Sequence, residues 1–343
     1  SPRTAAMMRV SIVDQSPVHD GESAADALRH TLDLVTLAES LGYHRYWFAQ
    51  HHGSAAFASA SPEVLMAAAA QVTSRIRIGS GGFLLGEYPP LRLAEIARTL
   101  EAVAPGRIDI GLGRAPGGDG RVVRALQSQM QDAETRLDEF LAFVNDDRVP
   151  TRAGEVVAVP DGVTRPEIWM LGTSPGSGVM AGRRGLPYAF GSFIDPTHIQ
   201  EALTMYHTEF VPGEFGSGTK SSKPRTMLAV VAICGRTDEE ANQLARASEQ
   251  WFVESFIKGN DVRFPSADTV RAIEAPFAPY VAMRRATTFV GSAERVADEL
   301  AAVRQRYAVD ELAVVTITHD AATRMVSYER LAEALSLTSA VIS

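Results

Sequence analysis

Cysteine is almost absent: Cys234 stands alone in 343 residues. That excludes an internal disulfide framework, and a thiol at the end of an apolar run over 227–234 reads as buried and inert. Lysine is nearly as scarce, occurring only at positions 220, 223 and 258. With a net charge of −8 and an isoelectric point near 5.6, the chain offers no basic surface for nucleic acid or an anionic membrane. No apolar run reaches transmembrane length, and the first residues lack the apolar stretch of a signal peptide. A cytoplasmic protein is expected. Metal-site spacing is missing too, since there is no His-Glu-x-x-His and no cysteine cluster. No Gly-Lys-Ser/Thr completes a nucleotide P-loop.

What is present is enough apolar residue, 45% of the chain, to bury a large core. The stretch Tyr43-His44-Arg45-Tyr46-Trp47-Phe48-Ala49-Gln50-His51-His52 organises the rest. It reads as a buried strand over 43–49 that ends in two histidines. A helix over 24–40 precedes it and closes at Gly42, and another over 61–73 follows, with Ser61 as cap and Pro62 at its first position. Strand, polar tip, loop and helix form the unit of an α/β barrel, whose chemistry sits where strands stop. Imidazoles there can donate, accept or move a proton near neutral pH. The competing reading is that one histidine only hydrogen-bonds the loop. A shared metal is disfavoured, because adjacent strand residues point to opposite faces.

The same alternation continues along the chain. Strands are expected over 8–13, 43–49, 75–85, 108–113, 167–171, 188–191, 227–234 and 311–318. Helices fall between them over 91–103, 121–144, 196–210, 238–256, 293–307 and 321–335. Eight strands interleaved with helices predict a parallel sheet closed into a (β/α)8 TIM barrel with insertions. One domain over 8–338 is expected, and residues 1–7 read as a disordered extension or expression remnant. Two stretches break the rhythm. Residues 212–224 are loop by composition, and 258–288 is long for a connection, which favours a lid over a tolerated insertion.

Three further features cluster at expected strand ends. Gly172-Thr173-Ser174-Pro175-Gly176-Ser177-Gly178 opens a helix, whose free N–H groups suit a phosphate. A degenerate dinucleotide fingerprint, Gly176-x-Gly178-x-x-Ala181, and a plain turn-rich helix start are the alternatives. Arg114 follows Gly111-Leu112-Gly113, where it can grip a phosphate or pair with a neighbouring loop. Gly79-Ser80-Gly81-Gly82 inside a strand means a bulge or a flat ligand against bare backbone.

On these residues the chain resembles the bacterial luciferase-like monooxygenases, flavin-dependent (β/α)8 barrels, and most nearly those of actinobacterial natural-product pathways. The likeness is densest at His51-His52, at Arg75-Ile76-Arg77-Ile78-Gly79-Ser80-Gly81-Gly82, and from Pro105 to Gly117. It implies reduced FMN supplied by a separate reductase, O2, and a small organic substrate such as an aromatic polyketide, hydroxylated or epoxidised. His51 falls on the family's active-site histidine, with His52 its companion. Gly81-Gly82, after Ser80, falls where the family places a non-proline cis peptide against the flavin ring. Arg114, Pro116, Thr173, Ser174 and Ser177 fall on phosphate-contacting positions, and 258–288 overlaps a mobile loop. Gln50 departs from the Glu-His-His of many relatives. It cannot titrate, but it is expected to orient His51 through a hydrogen bond. The resemblance leaves F420-dependent hydride transfer and a non-catalytic flavin-binding protein as alternatives. A homodimer through the helices over 61–73 and 91–103 is also expected.

Overall fold

A computed structural model describes residues 8–129, 132–145, 148–213 and 221–337. The expected extension over 1–7, and residues 214–220 of the expected loop, lie outside them. Eight parallel strands form the ring: β1 (Arg9–Asp14), β2 (Arg45–Phe48), β3 (Arg77–Ser80), β4 (Ile108–Gly113), β5 (Glu167–Gly172), β6 (Tyr188–Gly191), β7 (Thr226–Gly235) and β8 (Glu311–Val315). They neighbour one another in chain order, and β7 and β8 close the circle back to β1. The chain is a TIM barrel of the α/β class, as expected.

Each strand is buried on both faces, and its side chains alternate between two cores. Tyr46 and Phe48 point outward, with Ile78, Ile110, Ile168 and Met170, into the cluster beneath the helices. Trp47 points inward, with Val13, Trp169, Met227, Ala229 and Val315. The helices on the outside are α1 (Ala24–Leu41), α2 (Pro62–Val72), α3 (Pro90–Val103), α4 (Ala133–Asn145), α5 (Pro175–Arg183), α6 (Ile199–Thr208), α7 (Asp238–Phe252), α8 (Ala293–Tyr307) and α9 (Ala321–Ala334). Local chemistry sets their ends. Ser23 and Asp26 form a capping box at the start of α1, and Gly42 ends it with φ +86. Ser61 holds the cap position of α2, but its hydroxyl makes no capping bond. That expectation of a side-chain cap fails because Ser61 takes an irregular backbone conformation, φ −132 and ψ 77.

Other departures have local causes. The expected strand over 75–85 is two pieces, β3 and Phe83–Leu84, separated by Gly81-Gly82. The regular part of the helix over 238–256 stops at Phe252, where a π-turn, Val253–Ile257, takes over. The long connection is not a bare loop. Residue Phe264 is fully buried and pairs with His19, and a helix, Ala278–Arg285, and an extra strand, Phe289–Ser292, follow. Cys234 is buried in β7, and burial pushes its thiol up to about 12, as the apolar run implied.

The barrel floor is charged. Arg45 is 1% exposed and spans three strands, with Nε and Nη2 on the Glu311 carboxylate at 2.8 and 3.1 Å, and Nη1 on Asp109 at 2.8 Å and Glu167 at 3.0 Å. Arg77 donates twice to Asp109, and Arg225 donates to Glu167. Burial alone would raise the Glu167 carboxyl, yet Arg45, Arg77 and Arg225 outweigh it and hold it at about 2. Removing one partner from such a network strands the others without water. Arg45→Met should therefore cost about 3–5 kcal/mol, read as a fall in the urea unfolding midpoint. Arg121→Ala, which breaks the exposed pair with Asp119, should leave the midpoint unchanged.

Candidate active site

A cavity of about 450 Å3 opens at the C-terminal mouth of the barrel, within the ordinary range for small-molecule sites. The two histidines part company there. His51 lines the cavity and stacks on Phe57, ring centres 4.6 Å apart. His52 is not among the lining residues, and its ring lies against Gly117, where an added Cβ would come within 2.6 Å. The split arises beyond the end of β2, where the His51 N–H donates to the Ser59 carbonyl and the His52 N–H to that of Gly117.

Gln50 does not orient His51. Its amide nitrogen is 2.8 Å from His52 Nε2, and its oxygen accepts from the Leu84 N–H and the Tyr88 hydroxyl, both at 3.3 Å. The expectation of a Gln50–His51 bond is corrected: Gln50 lines the cavity as His51 does, but its amide is taken by His52, Leu84 and Tyr88. Gln15 takes that role, its amide nitrogen 3.1 Å from His51 Nε2. Gln15 follows the last residue of β1, and nothing in the spacing of positions 15 and 51 links the two. Asp14 itself is structural: it is fully buried and accepts from Tyr46, Thr31 and Arg324.

Beside His51, the Gly81–Gly82 peptide is cis, and both glycines line the cavity. A Cβ on Gly82 would lie 2.6 Å from the Gly111 carbonyl oxygen, so only bare backbone fits between β3 and β4. Ser80 is fully buried, and its hydroxyl is committed to the backbone of Gly111, which leaves it outside the cavity lining.

The remaining expected residues meet at the N-terminus of α5. Ser174 caps this helix in a reciprocal box with Ser177, and Pro175 fills the first position. Thr173 and Pro116 line the same wall. Arg114 Nη2 is 3.3 Å from Ser174 Oγ, and it has no carboxylate partner among the described residues. Ser177 also bonds the Tyr188 hydroxyl at 2.9 Å, which burial pushes up to about 12 against that bond and the nearby charge of Arg114. The Arg114 guanidinium, the hydroxyls of Thr173 and Ser174, and the Gly176 N–H, which the cap leaves untaken, make a phosphate-binding set.

The sequence profile of the luciferase-like monooxygenases matches residues 8–311. The chain belongs to that family. A luciferase-like monooxygenase of Escherichia coli (strain K12) is 33% identical over 323 residues, covering 93% of this chain and 94% of that protein. The N-acetyl-S-alkylcysteine monooxygenase of Bacillus subtilis (strain 168) is 33% identical over 339 residues, covering 96% and 98%. The crystal structure of apo-MsnO8 superposes with a TM-score of 0.84 at 35% identity, covering 96% of this chain and 98% of that one.

In this luciferase-like monooxygenase the opposite wall was not legible beforehand. It is aromatic: Trp251 stacks on Phe264 at 4.7 Å, and both meet Phe57 edge-on. No spacing signal links positions 57, 251 and 264. Burial among these rings, and secondarily the charge of His52, holds His51 down to about 4. Protonating it therefore favours the unfolded state, whose imidazole titrates at its ordinary value near 6.5. The neutral ring's contribution is complete above pH 6.5 and drains away as the pH falls toward 4. A His51→Gln variant should thus lose less stability than the wild type between pH 6.5 and 4, measured by urea unfolding at stepped pH.

Proposed function

We propose that this chain is the oxygenase of a two-component pair. A separate reductase supplies FMNH2, and the chain uses it with O2 to place one oxygen atom on a small organic substrate. One observation carries the reading: the cavity joins a shelf of bare backbone, Gly81-Gly82, to an unpaired Arg114 at a helix N-terminus. The first suits a flat ring, and the second suits the phosphate attached to it, so the residues present fit a flavin mononucleotide. Arg114, Thr173, Ser174 and the Gly176 N–H would hold the phosphate, with Gly81 and Gly82 lining the space for the ring. Bound reduced flavin supplies the electrons that activate O2, chemistry no side chain here can supply.

The protein's own part is positioning, shielding and proton control. Gln15 donates to His51 Nε2, so that nitrogen is the acceptor and the ring proton rests on Nδ1. A neutral imidazole can act as hydrogen-bond partner or proton carrier at physiological pH. The aromatic wall keeps water from the reacting centre. It also favours a flat, aromatic substrate, which accords with hydroxylation or epoxidation of an aromatic polyketide. Oxygenation at sulfur is the second reading, favoured by the Bacillus subtilis relative, whose name specifies a thioether. Pairing of two copies through α2 and α3 is part of the proposal, and Val64, Val72 and Val103 on these helices are exposed.

The test is an anaerobic titration with FMNH2, followed by rapid mixing with oxygenated buffer. Binding, and a delay before the oxidised-flavin band returns relative to free FMNH2, are expected. Tight F420 binding without FMNH2 binding would move the chain to hydride transfer. Binding without the delay would leave a flavin carrier or oxidase. Arg114→Ala should weaken FMNH2 binding about tenfold or more, as for a lost charge-assisted hydrogen bond. His51→Ala should keep FMNH2 affinity yet release more hydrogen peroxide per flavin oxidised. Unchanged peroxide release would remove His51 from the mechanism.

A further inference from the structure

Arg284 lines the cavity, yet no carboxylate or carbonyl among the described residues accepts a hydrogen bond from it. The nearest acid, Glu249, is occupied by Arg285, whose Nε lies 2.6 Å away. Arg284 instead lies over the Phe252 ring at 4.6 Å. A cation–π contact offsets part of its desolvation but leaves the half-buried guanidinium without a protein acceptor among the described residues. Burial lowers its pKa and the charge of Glu249 works against that, so the charged form is under strain from its surroundings. An ionised group in such a place is stabilised by a ligand that brings the opposite charge.

Position separates it from the phosphate grip. Arg114 and Ser174 come from the loops after β4 and β5, whereas Arg284 comes from the helix Ala278–Arg285, beyond β7. The lining that β7 contributes is apolar, with Met227, Ala229 and Val231 along the strand. The Phe252 ring beneath Arg284 stacks on Phe256, which meets Trp251 edge-on, and Trp251 stacks on Phe264. The cavity therefore has a second cation at the end of an aromatic wall.

We infer that Arg284 recognises a carboxylate on the substrate, whose apolar or aromatic body lies along Trp251, Phe256 and Phe264. This rests on the monooxygenase reading of the same cavity. It narrows the substrate to an organic acid, held by a planar fork that matches a carboxylate with two parallel hydrogen bonds.

The experiment compares 4-phenylbutyrate with its neutral amide, 4-phenylbutanamide, titrated by calorimetry into the FMNH2-loaded protein without oxygen. The acid should bind about tenfold tighter than the amide. Arg284→Met should erase that preference, and Arg284→Lys should keep part of it, because an ammonium retains the charge without the fork. Both variants should bind FMNH2 as the wild type does, and the exposed helix that carries Arg284 buries no residue whose loss would unfold it. Equal affinities for acid and amide, no binding of the acid, or a preference that survives Arg284→Met would overturn the inference. So would a loss of FMNH2 affinity in Arg284→Met, which would make Arg284 a cofactor residue. Failure of the wild type to bind FMNH2 would overturn the monooxygenase reading and this inference with it, and it shows before any acid is added.

Discussion

The buried guanidinium of Arg45 is the interaction on which the mouth of the barrel depends. Three carboxylates from β4, β5 and β8 converge on Arg45, whose buried charge offsets the cost of taking them out of water. The network also reaches upward. Asp109 accepts from the Trp47 indole at 2.9 Å, and the Trp169 indole donates to Glu167, so two large rings are fixed immediately above the charged layer. Trp47 in turn leaves no room at Gly79, where a Cβ would lie 2.7 Å from its ring, and little at Gly81. The cis Gly81–Gly82 shelf is thus seated on an aromatic platform held by salt bridges at the far end of the barrel.

Above that platform, polarity is distributed unevenly. One histidine faces a cavity of aromatic and aliphatic walls and stays neutral, whereas its neighbour is turned away toward Gln50 and Gly117. The loops after β4 and β5 supply Arg114 and the capped start of α5. The region beyond β7 supplies aromatic rings and one unpaired guanidinium. A barrel mouth so divided can hold two molecules that differ in shape and charge, one flat and phosphorylated, the other largely apolar. Both are supported by loops on a rigid ring, the arrangement that lets one fold host many reactions.

The barrel was legible because its signals are local and repeated: apolar runs of strand length, helix starts such as Ser61-Pro62, stops such as Gly42, and polar residues such as His51 and Arg114 past strand ends. His51, Arg114, Ser174 and the glycine pair were legible for the same reason, each sitting at a strand end with a distinctive residue type. What stayed hidden depends on contacts between distant positions. Whether Gln50 or Gln15 reaches His51 is decided by how the chain folds beyond β1 and β2, and both residues look alike on paper. Phe57, Trp251, Phe264 and Arg284 come from four separate segments, and only the closed ring brings them to one cavity. Ser80 misled for the opposite reason. It lies within the glycine-rich motif, but its place in the pleat turns its hydroxyl to the Gly111 backbone.

Cys234 has a practical consequence. Its thiol is buried in β7 and weakly acidic, so almost none of it is thiolate near neutral pH. Because it is the sole cysteine of the chain, the folded protein presents no competing nucleophilic sulfur to a maleimide or a spin label. A single Met283→Cys exchange, at a residue 67% exposed beside Arg284, would create a unique attachment point on the rim of the cavity. Fluorescence or paramagnetic distance measurements could then follow the rim as ligands enter, without first stripping the protein of its own thiols.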